Sequence, residues 1–341
     1  MRVLIVGGTG NISAATTREL VARGAAVTHF NRDRTRSTAA IPDGVRTIVG
    51  DRADYPAVEA RLRAEEPFDV VIDMIGFTAA DAESAIRAFR GRTGPYIFCS
   101  TIDVYAKPAS RYPYVEDEPY GGIGDYASNK VRCEELLRAA HARGELPLTI
   151  IRPAATYGEG RGMVHSFGSG TTYHDRIRKG KPIVVHGDGQ ALWVSCHRDD
   201  VGRAFAAAAG KAITIGRHYH VTSDEWLTWD EYHRLVAVAS DAPPPTLVHI
   251  PTALLARVAP RAAICRDNFQ FNNIFDNAAA RADLDFRPAI PFVDGVRRAV
   301  AWLDAHDRIR DSDADPYDDR VIAAWQRLGG EMGRELTDLG A

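Results

Sequence analysis

Tyr126 and Lys130 stand four residues apart in a stretch with a helical pattern, so both side chains project from one face. An isolated phenol is a poor base at neutral pH, but a neighbouring ammonium favours the phenolate. The pair can then take a proton from a substrate hydroxyl or return one to it. With 12 tyrosines and only five lysines in 341 residues, chance supplies about 0.2 such spacings, so position in the chain must carry the rest of the argument. The position is favourable: the pair follows an apolar run, Tyr96 to Ser100, that ends in Thr101. A hydroxyl at the carboxyl edge of such a strand lies where open α/β sheets bind ligands and can orient the reacting oxygen. Thr101 is the choice for that role, with Ser100 in reserve.

A second constellation opens the chain. The run Arg2 to Val6 leads directly into Gly7-Gly8-Thr9-Gly10-Asn11-Ile12-Ser13, and a helical pattern follows. Glycines permit the tight turn and the close approach of backbone to a pyrophosphate, whose charge then meets the positive end of the helix dipole. The third small position is Ser13 rather than glycine. At the end of the second strand, where a carboxylate would hold an NAD ribose, stand Asn31 and Arg32, with Arg34 and Arg36 nearby and Asp33 between. Arginine pairs with a 2′-phosphate, so NADP(H) is favoured, with NAD(H) as the alternative. Gly50, Asp51 and Arg52 fall where a loop reaches the adenine, and Met74-Ile75-Gly76 where backbone approaches the rest of the dinucleotide.

These residues need a frame. Up to about residue 155, short apolar runs (Val3 to Val6, Ala26 to Phe30, Arg46 to Val49, Val70 to Asp73, Tyr96 to Ser100, Leu148 to Arg152) alternate with helical patterns such as Ala14 to Arg23, Ala79 to Arg90 and Tyr126 to Arg143. That alternation predicts a Rossmann-type, doubly wound parallel sheet, and the lack of strict polar alternation suits strands covered on both faces. The expected organisation is a dinucleotide domain over 1–155 and a smaller α/β substrate lobe over 156–305 that exchanges segments with it. An acidic linker and a docking helix, 306–341, would follow. Hydrophobic residues at 45%, charged residues at 26% and a net charge of -3 describe an ordinary globular chain with no general footprint for nucleic acid. No apolar run approaches the ~20 residues that span a bilayer, and the opening is not that of a secretory leader, so a cytoplasmic location is expected. Cys99, Cys133, Cys196 and Cys265 are scattered without zinc-like spacing and read as free thiols, and no histidine has an i,i+4 partner, so no metal is expected.

With these motifs in order, the chain resembles an extended short-chain dehydrogenase/reductase of the NAD-dependent epimerase/dehydratase family. The resemblance rests on the glycine loop, Thr101, Val104-Tyr105, the Tyr126-Ala-Ser-Asn-Lys130 box, Arg152-Pro153, Tyr157-Gly158, Gly187-Asp188-Gly189, Asp199-Asp200-Val201 and Asp276 to Pro288. It implies that Ser100, Lys130 and Pro153 also touch the dinucleotide, that Asp103, Tyr105, Ala154, Ala155, Trp193 and His197 face the substrate, and that the chain forms a homodimer through the Tyr126 helix.

Two departures bear on the substrate. Nucleotide-sugar members carry an asparagine where Ala155 stands and an arginine where Trp193 stands. An alanine and an indole cannot replace charge-assisted donors to a diphosphate, although Trp193 could stack on a sugar ring and Arg161, Lys179, Lys181 and Arg198 could compensate. Sugar 4,6-dehydratases place Asp then Glu after the threonine, where this chain has Ile102 then Asp103; without an acid at the first place, elimination by that route loses its proton donor. The expected activity is therefore an NAD(P)-dependent epimerase or oxidoreductase acting on a secondary alcohol or ketone of a sugar-like molecule. The alternatives are an NADPH-dependent reductase of a secondary-metabolite or nucleoside-like ketone, and a non-catalytic cofactor-sensing or RNA-binding protein.

Overall fold

In the computed structural model the described residues are 1–32 and 40–337. They divide into two compact units, the first built from Met1–Glu159, Val194–Glu225 and Ile274–Pro291, the second from Gly160–Trp193, Trp226–Asn273 and Phe292–Ala341.

The first unit carries a seven-stranded sheet among its described residues. Its strands are β1 (Arg2–Val6), β2 (Ala26–Asn31), β3 (Arg46–Val49), β4 (Val70–Asp73), β5 (Tyr96–Cys99), β6 (Leu148–Pro153) and a last strand, His218–Val221. From one edge the order is His218–Val221, β6, β5, β4, β1, β2, β3, and every pairing is parallel. The order reverses direction at β1, the topological switch where dinucleotides bind. Val3, Ile5, Val70, Ile72, Ile97 and Ile151 pack into one core cluster, while Leu4, Val6, Val71, Tyr96, Phe98 and Ile150 pack into another. The period-2 pleat thus sends alternate apolar residues to two covered faces, which is why the strands read as unbroken hydrophobic runs.

Four helices of this unit concern the site: α1 (Asn11–Ala22), α2 (Tyr55–Ala64), α3 (Ala79–Phe89) and α4 (Asp125–Ala142). Thr78 and Asp81 form a reciprocal capping box at the start of α3, and Asp54 caps α2.

The second unit is helical around two short strand pairs, Ile183–His186 parallel to Leu247–Ile250 and Leu192–Trp193 antiparallel to Leu227–Thr228. Its acidic segment is exposed for most of its length and is tied to neighbouring cations. Lys179 Nζ lies 2.6 Å from Asp311 and 2.7 Å from Asp313, Lys181 also pairs with Asp313, and Arg176 lies 2.8 Å from Asp319. The helix that follows spans Tyr317–Thr337, within the expected 306–341 segment. Among the described residues no helix is long and apolar enough to cross a membrane.

Candidate active site

β1 runs straight into Gly7, whose φ of +87° lets the chain turn at once. A Cβ there would lie 2.5 Å from Ile75, and one on Gly8 would lie 2.2 Å from the His29 ring. The loop therefore fits only with glycine at both places. Ser13 is more than a small residue: its hydroxyl donates to Gly7 O at 2.5 Å and closes the loop. α1 begins at Asn11 with Gly10 as its cap, no side chain bonding its first amides and no acid in its first turn. Those donors and the helix dipole fit an anionic diphosphate. Thr9 and Ile12 flank the turn half-buried. Asn11 is anchored through Nδ2 to Thr156 O at 3.3 Å, while its Oδ1 accepts from Arg198 at 3.4 Å.

At the end of β2 the Asn31 side-chain oxygen accepts from Gly8 N at 2.8 Å, so this residue braces the loop rather than presenting that oxygen to a ribose. Arg32 is exposed beside it, and Arg34, Asp33 and Arg36 lie outside the described residues. Asp51 is exposed and accepts from Ala53 N. Arg52 corrects the reading of that loop: it is buried, donating to Asp73 Oδ2 at 2.8 Å and to Asp81 O at 3.0 Å. Asp73, at the end of β4, also receives the Tyr96 hydroxyl at 2.6 Å and Ile75 N at 3.1 Å. Burial alone would raise the Asp73 pKa, but Arg52, Tyr96 and the backbone more than offset it, and the carboxyl is held below its ordinary value. Arg52 thus acts as a buried counter-ion under the Met74-Ile75-Gly76 turn.

α4 carries the Tyr126 and Lys130 expected to form the acid/base pair. Tyr126, in its first turn, is 51% exposed, whereas Lys130, one turn on, is 1% exposed. The Lys130 ammonium donates to Gly76 O at 2.9 Å and to Cys99 O at 2.7 Å, and lies over the rings of Phe77 and Phe98 at 4.8 and 4.7 Å. It is thereby fixed at the carboxyl ends of β4 and β5. Thr101, just after β5, accepts from Asp103 N at 3.2 Å and reaches Asp103 Oδ2 at 3.4 Å.

One further turn along α4, Glu134 anchors the helix from behind, a role the sequence reading missed although it shares the face of Tyr126 and Lys130. Its carboxylate receives Arg152 Nε at 2.9 Å and Nη2 at 2.6 Å, Tyr120 at 2.6 Å and Ser100 at 2.6 Å. Burial raises its pKa and these donors lower it, with a net fall. The Ser100 hydroxyl is therefore committed to Glu134, which leaves Thr101 as the choice between the two. Tyr105 is likewise not a substrate residue: it is fully buried, bonded to Arg152 and to His220, both at 2.5 Å, and burial pushes its phenol far up.

The remaining residues expected at the substrate divide. Pro153 ends β6, Ala154 is buried among Ile102, Val104, Tyr114 and Phe275, and Ala155 begins a short strand paired with Ser195–His197. His197 is 1% exposed, with its ring edge on Tyr157 and its Nδ1 accepting from Asp199 N. Trp193 belongs to the other unit and is a core indole, 3% exposed and packed on Trp229 and Phe269 at 5.0 and 4.9 Å. Lys179 and Lys181 are held by the acidic segment, and Arg198 by Glu159 at 2.9 Å, so these cations are engaged elsewhere than on a diphosphate. Donor atoms of Glu159, His197 and Asp199 come within 4.8 Å of one another, but Arg198 and Arg18 already neutralise the two carboxylates.

A family model described as the NAD dependent epimerase/dehydratase family matches residues 3–222. The chain belongs to that family. Its relatives show the range of chemistry the frame carries. This family member is 29% identical to 2'-dehydrokanamycin reductase of Streptomyces kanamyceticus, over 81% of this chain and 77% of that one. It is 26% identical to chloroplast stem-loop binding protein of 41 kDa b of Arabidopsis thaliana, over 86% and 77%. Among solved structures, UDP-glucuronic acid 4-epimerase from Bacillus cereus in complex with NAD superposes with a TM-score of 0.68 at 17% identity, covering 90% of this chain and 99% of that one. This family member is thus an enzyme of the extended short-chain dehydrogenase/reductase type.

Proposed function

We propose that the chain interconverts a secondary alcohol and a ketone on a sugar-like molecule, using NADP(H) in preference to NAD(H). The observation that carries this reading is the placement of Lys130: its ammonium is tied to Gly76 O and to Cys99 O, two residues before Thr101, and it sits one helical turn from a half-exposed Tyr126. When bound, the nicotinamide supplies or accepts hydride. Tyr126 gives or takes the hydroxyl proton, Lys130 favours its phenolate and would hold the ribose, and Thr101 orients the oxygen. Gly7, Gly8 and the open amides of α1 would hold the diphosphate. The absence of a carboxylate at Asn31 and the exposed Arg32 support a 2′-phosphate.

Net reduction is favoured over epimerisation by the likeness to 2'-dehydrokanamycin reductase and by a site that has lost the donors expected to hold a sugar-linked diphosphate. The test is turnover of ketones followed by nicotinamide absorbance. Tyr126→Phe should lower kcat about 100- to 10,000-fold with NADPH affinity retained. Tyr126→Phe turnover equal to wild type sinks the reading and leaves a cofactor-sensing or nucleic-acid-binding role, like that in the name of the chloroplast relative, as the survivor.

A further inference from the structure

The Lys130 ammonium sits in a cage of unequal walls. Gly76 O and Cys99 O accept two of its three N–H groups at 2.9 and 2.7 Å, and the Phe77 and Phe98 ring centres lie 4.8 and 4.7 Å from it. Phe98 is a fully buried residue of β5 and part of the sheet core. Phe77 is 46% exposed and, among the described residues, joins no core cluster. A ring this open adds little to folding, so packing does not account for it. Its root is nevertheless rigid. Phe77 N donates to Asp81 Oδ2 at 3.0 Å, Thr78 N donates to the same oxygen at 2.9 Å, and the Cys133 thiol of α4 donates to Thr78 O at 3.1 Å. A Cβ on Gly76 would come within 2.8 Å of the Phe98 ring, so the turn is also pressed onto β5. Turn, strand and helix are locked together, and the Phe77 ring meets the ammonium from a fixed anchor.

We propose that Phe77 is a positioning residue for Lys130: the face of its ring keeps the ammonium between the two carbonyls and out of water, so that the charge acts on the Tyr126 phenol from one place. The inference rests on the Tyr126, Lys130 and Thr101 reading above. An ammonium is a compact, strongly hydrated charge, and water drawn around it would weaken its pull on a neighbouring phenol. The electron-rich face of an aromatic ring replaces part of that hydration, because its quadrupole attracts the cation. An aliphatic side chain of similar size covers the charge without attracting it, which leaves the long lysine stem free to swing toward solvent. Phe77 touches no reacting atom in this role and acts only through Lys130, so its effect should appear in the ionisation of Tyr126.

The test titrates the Tyr126 phenol directly in the full chain, with neither substrate nor dinucleotide added, as the difference in tyrosinate absorbance between each protein and the same protein carrying Tyr126→Phe. Burial holds Tyr96, Tyr105 and Tyr114 above the ordinary phenol range, which keeps them out of the titration. Lys130→Met should move the midpoint up by about one pH unit or more. Phe77→Leu should move it up by about half a unit, and Phe77→Trp, which keeps an aromatic face, should hold it within about 0.2 of wild type. Far-ultraviolet dichroism at each pH shows that the variants stay folded. A midpoint that moves in Lys130→Met but not in Phe77→Leu, or that moves equally in Phe77→Leu and Phe77→Trp, overturns the role of the ring and leaves the Tyr126 and Lys130 reading standing. A midpoint unmoved by Lys130→Met breaks the link between amine and phenol, and this inference falls with it.

Discussion

Glu134 shows how one buried carboxylate can anchor the helix that carries Tyr126 and Lys130. It and Arg152 are both at most 1% exposed on their side chains, 2.6 Å apart, so each is the other's buried counter-charge. Removing one partner strands the other in a low-dielectric interior, which typically costs about 3–5 kcal/mol. Glu134→Gln should therefore lower stability in urea titrations by about that amount and should also release Ser100 and α4. A loss below about 1 kcal/mol would show the pair to be an ordinary surface-grade contact. That Tyr126 and Lys130 share one helix and that Thr101 follows a strand end were legible in the sequence, because a one-turn spacing and an apolar run prescribe those placements. Arg52, Ser100, Tyr105 and Trp193 were misread for a common reason: their types suit ligands, and only tertiary packing shows that their polar atoms or rings already have protein partners.

At the scale of elements, six strands of the sheet were read nearly to their ends, since unbroken apolar runs admit few alternatives, the seventh, His218–Val221, was not read, and α4 was displaced by a single residue at each end. α1 starts earlier than its apolar pattern because its first turn is the cofactor loop itself, uncapped and polar. The second unit was read only loosely: its strand pairs are two to four residues long, too short for periodicity to register. The loop between β1 and α1 gives a sharp expectation. His29, beneath Gly8, is buried and held to Thr17 at 2.8 Å, so it cannot withdraw from an added methyl group. Gly8→Ala should weaken NADPH binding by about tenfold or more while far-ultraviolet dichroism stays native, as titration of NADPH fluorescence can show. Undiminished affinity would mean that the loop does not cradle the dinucleotide.

Across the whole molecule, many imidazoles are buried in the neutral form. Desolvation holds His29, His174, His186 and His218 down to about 4, and His165 and His220 to about 3. The unfolded chain takes up protons on these groups near pH ~6.5, whereas the folded chain does so only below ~4. Stability from this source is complete above ~6.5 and drains away as the pH falls toward ~4, each histidine forfeiting up to about 1.4 kcal/mol for every whole step of pH in that window. Melting temperature should therefore fall steeply between pH 6.5 and pH 4 and change little between pH 7 and pH 8.5; a flat acid limb would mean that these rings are protonated in the fold.

The core indole Trp193 has a consequence for experiment. All five tryptophans, at positions 193, 226, 229, 302 and 325, fall within the second unit, and the first has none. Indole emission is thus a private optical channel for one half of the chain, while three of the four cysteines, all buried, sit in the other half as thiols that react only when it opens. Denaturation followed by light and by thiol titration would time the two halves separately without a single introduced label.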